Sequence, residues 1–197
     1  MRIVYLITIS AIGLIACRNN DDLLIKPRQY PKVDFPIKEY KTFDEADCDF
    51  SFDLPHYASV EKKDLYFDKS PVHPCWFDIT YTPFNGKLHC SYYPVQGRDQ
   101  LDELIGDAFE LVSKHHIKAN FREELLIQRG DVSGLLFDIS GPVASPNIFF
   151  LTDSLNHFFI ASLYFESKVN PDSMKVVHDF IRTDLIQLIE SFEWVAE

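Results

Sequence analysis

Residues 157–165, His-Phe-Phe-Ile-Ala-Ser-Leu-Tyr-Phe, make a strand pattern with no wet face. Phe159, Ala161, Leu163 and Phe165 alternate with Phe158, Ile160, Ser162 and Tyr164. Successive side chains of a strand point to opposite faces, so both faces here are largely apolar and both need covering. A sheet built around this strand therefore requires a layer on each side. Two amphipathic helices can supply those layers. The first is expected from Asp99 as N-cap to about Lys118, where Leu101, Leu104, Ile105, Ala108, Leu111 and Val112 recur at i, i+3, i+4, i+7 spacing. The second opens with Asn170 as N-cap, Pro171 in the first helical position and Asp172 beside it. Met174, Val177, Ile181, Leu185, Leu188, Ile189 and Phe192 then trace one stripe to Trp194.

The remaining chain reads as strands. Residues 49–57 alternate imperfectly and end at Pro55, and a charged loop follows over 61–70. Residues 76–93 read as a hairpin turning at Asn85-Gly86, a strong two-residue turn signal. A type I′ turn there sets Tyr81 opposite Cys90 and Ile79 opposite Tyr92, with Phe77 on the same apolar side. Asp78, Thr80, Thr82, His89 and Ser91 fall on the other, polar face. Further strands are expected over 121–128, 133–140, 147–151 and 157–165, with Arg129-Gly130-Asp131 as a hairpin turn and not an adhesion motif. With 17 Phe and 9 Tyr, a β-rich core fits the composition. The expected fold class is α+β: an antiparallel sheet of about seven strands with a long helix on each face. The order of elements, with a terminal helix running into Ser191-Phe-Glu-Trp194, resembles Mog1/PsbP-like α/β/α sandwiches.

The other constraint lies at the N-terminus. Arg2 is followed by an apolar segment, residues 3–15, ending in Leu14-Ile15-Ala16-Cys17. As a helix that segment would reach only ~20 Å, short of the ~30 Å hydrocarbon core, so it reads as a cleaved signal and not as a span. Leu-Ile-Ala-Cys resembles a bacterial lipobox. The expected organisation is a signal peptide over 1–16, a lipidated N-terminus at Cys17 with an extended tether over 17–36, and one globular domain over 37–197. Pro27, Pro31 and Pro36 keep the tether extended, up to about 60 Å at ~3.1 Å per residue. Acyl chains on Cys17 would hold the protein on a membrane, at ~0.8 kcal/mol per buried CH₂. Loss of Arg2 with the signal leaves 18 basic and 30 acidic side chains, a net charge of −12. That balance argues against nucleic acid and against electrostatic attraction to anionic lipid.

Chemistry is sparse. Without Cys17, three cysteines remain in an oxidising compartment, Cys48, Cys75 and Cys90, and three pairings are possible. The expected hairpin register leaves Cys75 about six residues from the position opposite Cys90. Cys90 also falls on the apolar face, as a small buried residue. Cys48–Cys75 is then the best pair. His73 beside Cys75 is a weak nucleophile signal. His115 and His116 sit in the last turn of a helix and point ~100° apart, which suits the helix dipole better than a shared metal. His178 beside Asp179 reads as a boundary residue, and Gly130-Asp-Val-Ser-Gly134 is not a nucleophile elbow. The sequence therefore points to no catalytic residue, metal or cofactor, and the expectation is a non-enzymatic protein. The rival expectation is a glycan- or small-ligand-binding domain using exposed aromatics such as Tyr93 or Trp76, with an enzyme of unknown type as a third.

Several longer stretches resemble one family. They are Asp34-Phe-Pro-Ile-Lys-Glu-Tyr40, Cys48-Asp-Phe-Ser-Phe-Asp-Leu-Pro55, Pro74-Cys-Trp76 and Gly86-Lys-Leu-His-Cys-Ser-Tyr92. His115-His-Ile-Lys-Ala119, Gly134-Leu-Leu-Phe-Asp-Ile-Ser-Gly141, Phe149-Phe-Leu-Thr-Asp-Ser154 and Ala161-Ser-Leu-Tyr-Phe165 continue them in order through the chain. The chain resembles the GldD family of gliding-motility lipoproteins. The resemblance implies an envelope protein required for gliding and for the associated type IX secretion, acting through contacts with other machinery proteins. It favours the periplasmic side of the outer membrane and brings no catalytic residues. Cys48 and Cys75 match family positions, whereas Cys90 stands where an apolar residue is expected.

Overall fold

The computed structural model describes residues 32–62, 70–116, 118–166 and 171–195, apart from the side chains of 116 and 171–173. The expected signal peptide, Cys17, most of the tether, the core of the charged loop and Asn170 lie outside the described residues. The chain divides into residues 1–32 and a unit formed by Val33–Glu197, whose fold follows.

Seven strands form one antiparallel sheet in the order β3-β4-β5-β9-β8-β7-β6. They are β3 (Ser59–Glu61), β4 (Phe77–Tyr81), β5 (Gly86–Pro94), β6 (Phe121–Arg129), β7 (Val132–Ser140), β8 (Asn147–Thr152) and β9 (His157–Phe165). The strand that demanded cover on both faces, β9, is the middle one of the seven, with Phe158, Phe159, Ala161 and Leu163 all buried. A second antiparallel sheet has the order β1-β2-β10, from β1 (Tyr40–Asp44), β2 (Phe50–Pro55) and β10 (Glu193–Trp194). Of these three, only β2 is anticipated by the sequence reading.

Among the described residues the α-helices are α1 (Arg98–His116) and α2 (Pro171–Ser191). Helix α1 starts one residue before Asp99, whose carboxylate therefore sits in the first turn, where the dipole favours it, and not at the cap. Its Leu101, Ala108 and Val112 pack on Phe137 and Ile139 of β7, Ile148 and Phe150 of β8, and Phe158 of β9. On the opposite face, Val177, Ile181, Leu185, Leu188 and Ile189 of α2 join Leu88, Leu136, Phe149, Phe159 and Leu163. The small sheet shares that second core through Phe43, Phe50, Phe52 and Leu54. Phe50 is central there, 5.1 Å from Phe159 and 5.4 Å from Phe192 between ring centroids. Fully burying each such ring contributes about 1.5–3 kcal/mol. The core is reached before residue 37: Val33 and Phe35 already pack on it, Phe35 with its ring 4.4 Å from Phe180.

Two further expectations are corrected. Helix α2 ends at Ser191 and does not carry Trp194, which instead pairs with Phe50 as part of β10. The hairpin register also differs. Tyr81 faces Gly86, Ile79 faces Leu88 and Phe77 faces Cys90, a slide of four residues from the expected pairing. The cause is a 3-10 turn over Thr82–Phe84 with Pro83 inside it, capped by Asn85 at φ 49°. Pro83 has no N–H to give to a ladder, and Phe84 is buried against Tyr57 and Phe180. Gly86 serves close packing: a Cβ there would meet Ile181 at 3.2 Å and Phe165 at 3.3 Å. Because the slide is even, every side chain keeps its face.

Candidate functional site

The two faces of the large sheet are covered unequally. Seven strands at ~4.8 Å spacing make a sheet about 30 Å wide, whereas one helix with its side chains is ~10 Å across. On one face α2 and the small sheet share the task. On the other, α1 packs over β7, β8 and β9, and the sheet beside it carries the polar side of the β4–β5 hairpin. Between that hairpin side and α1 lies a groove of about 390 Å³. Its floor comes from β5 and β9, with His89, Ser91 and Tyr93 on one strand and Phe158, Ile160, Ser162 and Tyr164 on the other. Leu104, Asp107, Ala108 and Leu111 of α1 form one wall, and Trp76 stands at the hairpin side.

The polar groups are held in place by specific partners. The corrected register sets Asp78 opposite His89 and His89 opposite Ser162, so an acid, an imidazole and a hydroxyl lie in a row across β4, β5 and β9. Asp78 is fully buried and its Oδ1 is 2.6 Å from His89 Nδ1. At the far end His115 Nε2 and the Tyr164 hydroxyl share a hydrogen bond of 3.1 Å. Burial holds the His115 imidazole below its usual range and pushes the Tyr164 phenol up, so both are neutral at pH 7. The Tyr93 phenol is likewise raised, by burial first and then by Asp107. Trp76 donates its Nε1–H to the Tyr92 carbonyl at 2.9 Å, fixing the indole, and its ring meets that of Tyr93 edge-on at 5.2 Å.

The residues singled out from sequence fall in different places. Trp76 and Tyr93, named as exposed aromatics, come together in this groove. Cys48 and Cys75 are joined in a disulfide with Cα atoms 5.6 Å apart, and Cys90 is a free, buried thiol. With Phe77 opposite Cys90, Cys75 lies two positions from Cys90's partner and not six, so register is a weaker argument against that pairing than expected. His73 is no partner for a nucleophile, because Cys75 is oxidised and buried; the His73 Nδ1 instead accepts from the Cys75 N–H at 3.2 Å. His178 Nε2 meets Asn147 Oδ1 at 2.6 Å, a boundary contact. Among the described residues no three His, Cys, Asp or Glu side chains gather as a metal site.

Sequence reasoning missed the Asp78–His89 pair. Both residues were on the polar face, but a register four residues off set Asp78 against Tyr93 and His89 against Thr82. The stiffness of Pro83 in the turn was the available signal. It also missed two buried polar knots on the other side. Tyr92 donates to Asp49 at 2.9 Å and shares a second hydrogen bond of 2.7 Å with His157. Asp184, fully buried, accepts from Lys38 Nζ at 2.5 Å, from the Tyr40 hydroxyl at 2.8 Å and from the Tyr57 hydroxyl.

No curated protein matches the sequence. Among solved structures the fold is similar to cyanobacterial PsbP (CyanoP) from Synechocystis sp. PCC 6803, determined in solution, with a TM-score of 0.46 and 13% identity. That likeness covers 81% of this chain and 94% of the other. Among the described residues no helix is long and apolar enough to cross a membrane. The family described as "Gliding motility lipoprotein GldD" matches residues 20–194, from just after Cys17 through β10. The chain belongs to this family, and membership implies a role in gliding motility as a membrane-anchored envelope protein.

Proposed function

We propose that the protein is a non-enzymatic lipoprotein, moored by lipid on Cys17 at the periplasmic side of the outer membrane, that supports gliding and type IX secretion through contacts with other machinery proteins. The observation that carries this reading is the family match over residues 20–194 directly after a lipobox-like Leu14-Ile15-Ala16-Cys17. The edge strand β6 supports a protein contact. It is nine residues long, it is the outermost strand of its sheet, and it leaves Leu126 75% and Phe121 61% exposed. An open edge of that length with apolar side chains is a ready place for another chain to pair.

The test is genetic. Deleting the gene should abolish colony spreading and impair secretion of type IX cargo. A Cys17→Ala form should lose labelling by a palmitate analogue and complement poorly, because a protein off its anchor is dilute at the machine. Alanine at His73, His115, His116 or His178 should leave spreading nearly intact. Labelling that survives Cys17→Ala, or one of those histidine changes abolishing spreading at normal abundance and folding, would overturn the lipoprotein or the non-enzymatic part respectively.

A further inference from the structure

We propose that the groove between α1 and strands β5 and β9 binds a neutral saccharide of one or two rings, of the N-acetylhexosamine class. Three features of the groove carry this. Its volume, about 390 Å³, lies toward the lower end of the ~300–1,000 Å³ usual for small-molecule sites, and suits one or two sugar rings. Its aromatic side is preset: the indole of Trp76 is fixed by the Tyr92 carbonyl and stands edge-on to Tyr93. Rings held in this way offer π-faces to the C–H face of a sugar at little cost in side-chain entropy.

The floor decides the class of occupant. Ser91, Ser162, Tyr164 and the Asp78-held His89 line it alongside the apolar side chains. A purely apolar side chain from a partner would cover the Ser162 and Tyr164 hydroxyls, which can donate and accept more bonds than the one Tyr164 shares with His115, and would make none with them, which disfavours it. An anionic ligand would meet Asp107 at the wall, on an acidic chain of net charge −11. A neutral polyol can exchange hydrogen bonds with those hydroxyls, and Asp107 can accept from one of its own. Leu104, Leu111 and Ile160 make the groove more apolar than a bare hexose needs, and an acetamido methyl fits that surplus. Neither the lipid anchor nor any machinery contact enters this argument.

The experiment uses the full chain in a sugar-free detergent, titrated with chitobiose and followed by calorimetry and by indole fluorescence. The chain has two tryptophans, Trp76 and Trp194, so Trp194→Phe isolates the groove signal. Chitobiose should bind saturably and shift that signal. Cellobiose and choline should each bind at least several-fold more weakly, and galacturonate not measurably. Trp76→Ala should weaken chitobiose binding at least tenfold. Should that variant misfold by circular dichroism, Leu104→Trp on the half-buried wall of α1 replaces it, filling the groove and abolishing binding. Binding in Cys17→Ala should equal that of the lipidated protein, so a lost motility role and a lost ligand are read separately. No saturable binding, binding unchanged by the folded groove variant, or preference for choline or galacturonate would overturn the proposal.

Discussion

Asp184 shows how much one side chain can hold in this fold. It sits inside α2 with no exposure, yet it receives Lys38 from the N-terminal segment, Tyr40 from β1 and Tyr57 from the turn after β2. Lys38 also lies over the Phe180 ring, 3.8 Å from its centre. Burial, then the Asp184 carboxylate, pushes both the Tyr40 and Tyr57 phenols above their ordinary range, so they remain donors. Asp184→Ala would take the shared acceptor from two hydroxyls and leave Lys38 with the Phe180 carbonyl, 2.8 Å away, and the Phe180 ring. Removing one partner of a buried charge pair costs about 3–5 kcal/mol, and with Lys38 partly solvated we expect about 3 kcal/mol, read as a lowered urea midpoint. A loss below ~1 kcal/mol would show that the knot is ornamental. Nothing in the sequence marked Asp184: it lies one residue before a stripe position, and its partners are at least 127 residues away. Periodicity is a local signal and cannot report such pairs.

Elements were legible where their pattern was local. The double-sided β9, the stripes of α1 and α2 and the tight turn at Gly130, φ 58°, follow from spacing alone. Strand β1 was not legible, because only Phe43 among its five residues is buried. Strand β10 is two residues long and is defined by its pairing with β2. The expected hairpin register fails because Pro83, which beside a two-residue turn would cost little, instead sits inside a 3-10 turn that shifts the pairing, and the Asp78–His89 pair at the groove is missed with it. The Cys48–Cys75 bridge belongs to this scale, since it ties the turn between β1 and β2 to the start of β4, one sheet to the other. With 27 residues of separation, the chain-entropy model gives about 3–4 kcal/mol. The double change Cys48→Ser, Cys75→Ser should lower stability by up to that amount, measured by denaturant unfolding. Peptide mapping without reduction should recover the two cysteines linked; a bridge to Cys90 would refute the pairing.

For the whole molecule, acid should act in two stages. Burial depresses the His178 and His115 imidazoles below the ordinary value near 6.5. For His178, Asp138 and Asp179 oppose that shift, and Arg182 and Lys175 assist it. The unfolded chain then binds more protons than the folded one as pH falls through 6.5, so stability is complete above that value and declines below it. Asp153 adds a later stage. Burial works against its charge, but the N–H groups of Leu155, His157 and Asn156 outweigh it and hold its carboxyl below the usual 3.8. Stability from that loop is present above 3.8 and lost beneath it. Urea midpoints measured from pH 8 down to 3 should be flat, then fall from about 6.5, then fall again near 4; a midpoint that rises between pH 7 and 5 would contradict this.

The strand order sets a timetable for folding. Beyond its hairpin partner β4, strand β5 finds its second neighbour only in β9, pairing Gly86 with Phe165 and Pro94 with His157, and β2 gains β10 from Glu193 and Trp194. A chain emerging N-terminus first can form the β4–β5 hairpin early, but the two halves of the large sheet cannot join until residue 165 is out. The second core waits for α2. Long loops closed late make a slow fold of high contact order. Until the segment through Trp194 has appeared, the chain remains loose enough to be threaded through a narrow pore, and once Trp194 docks on β2 it is not.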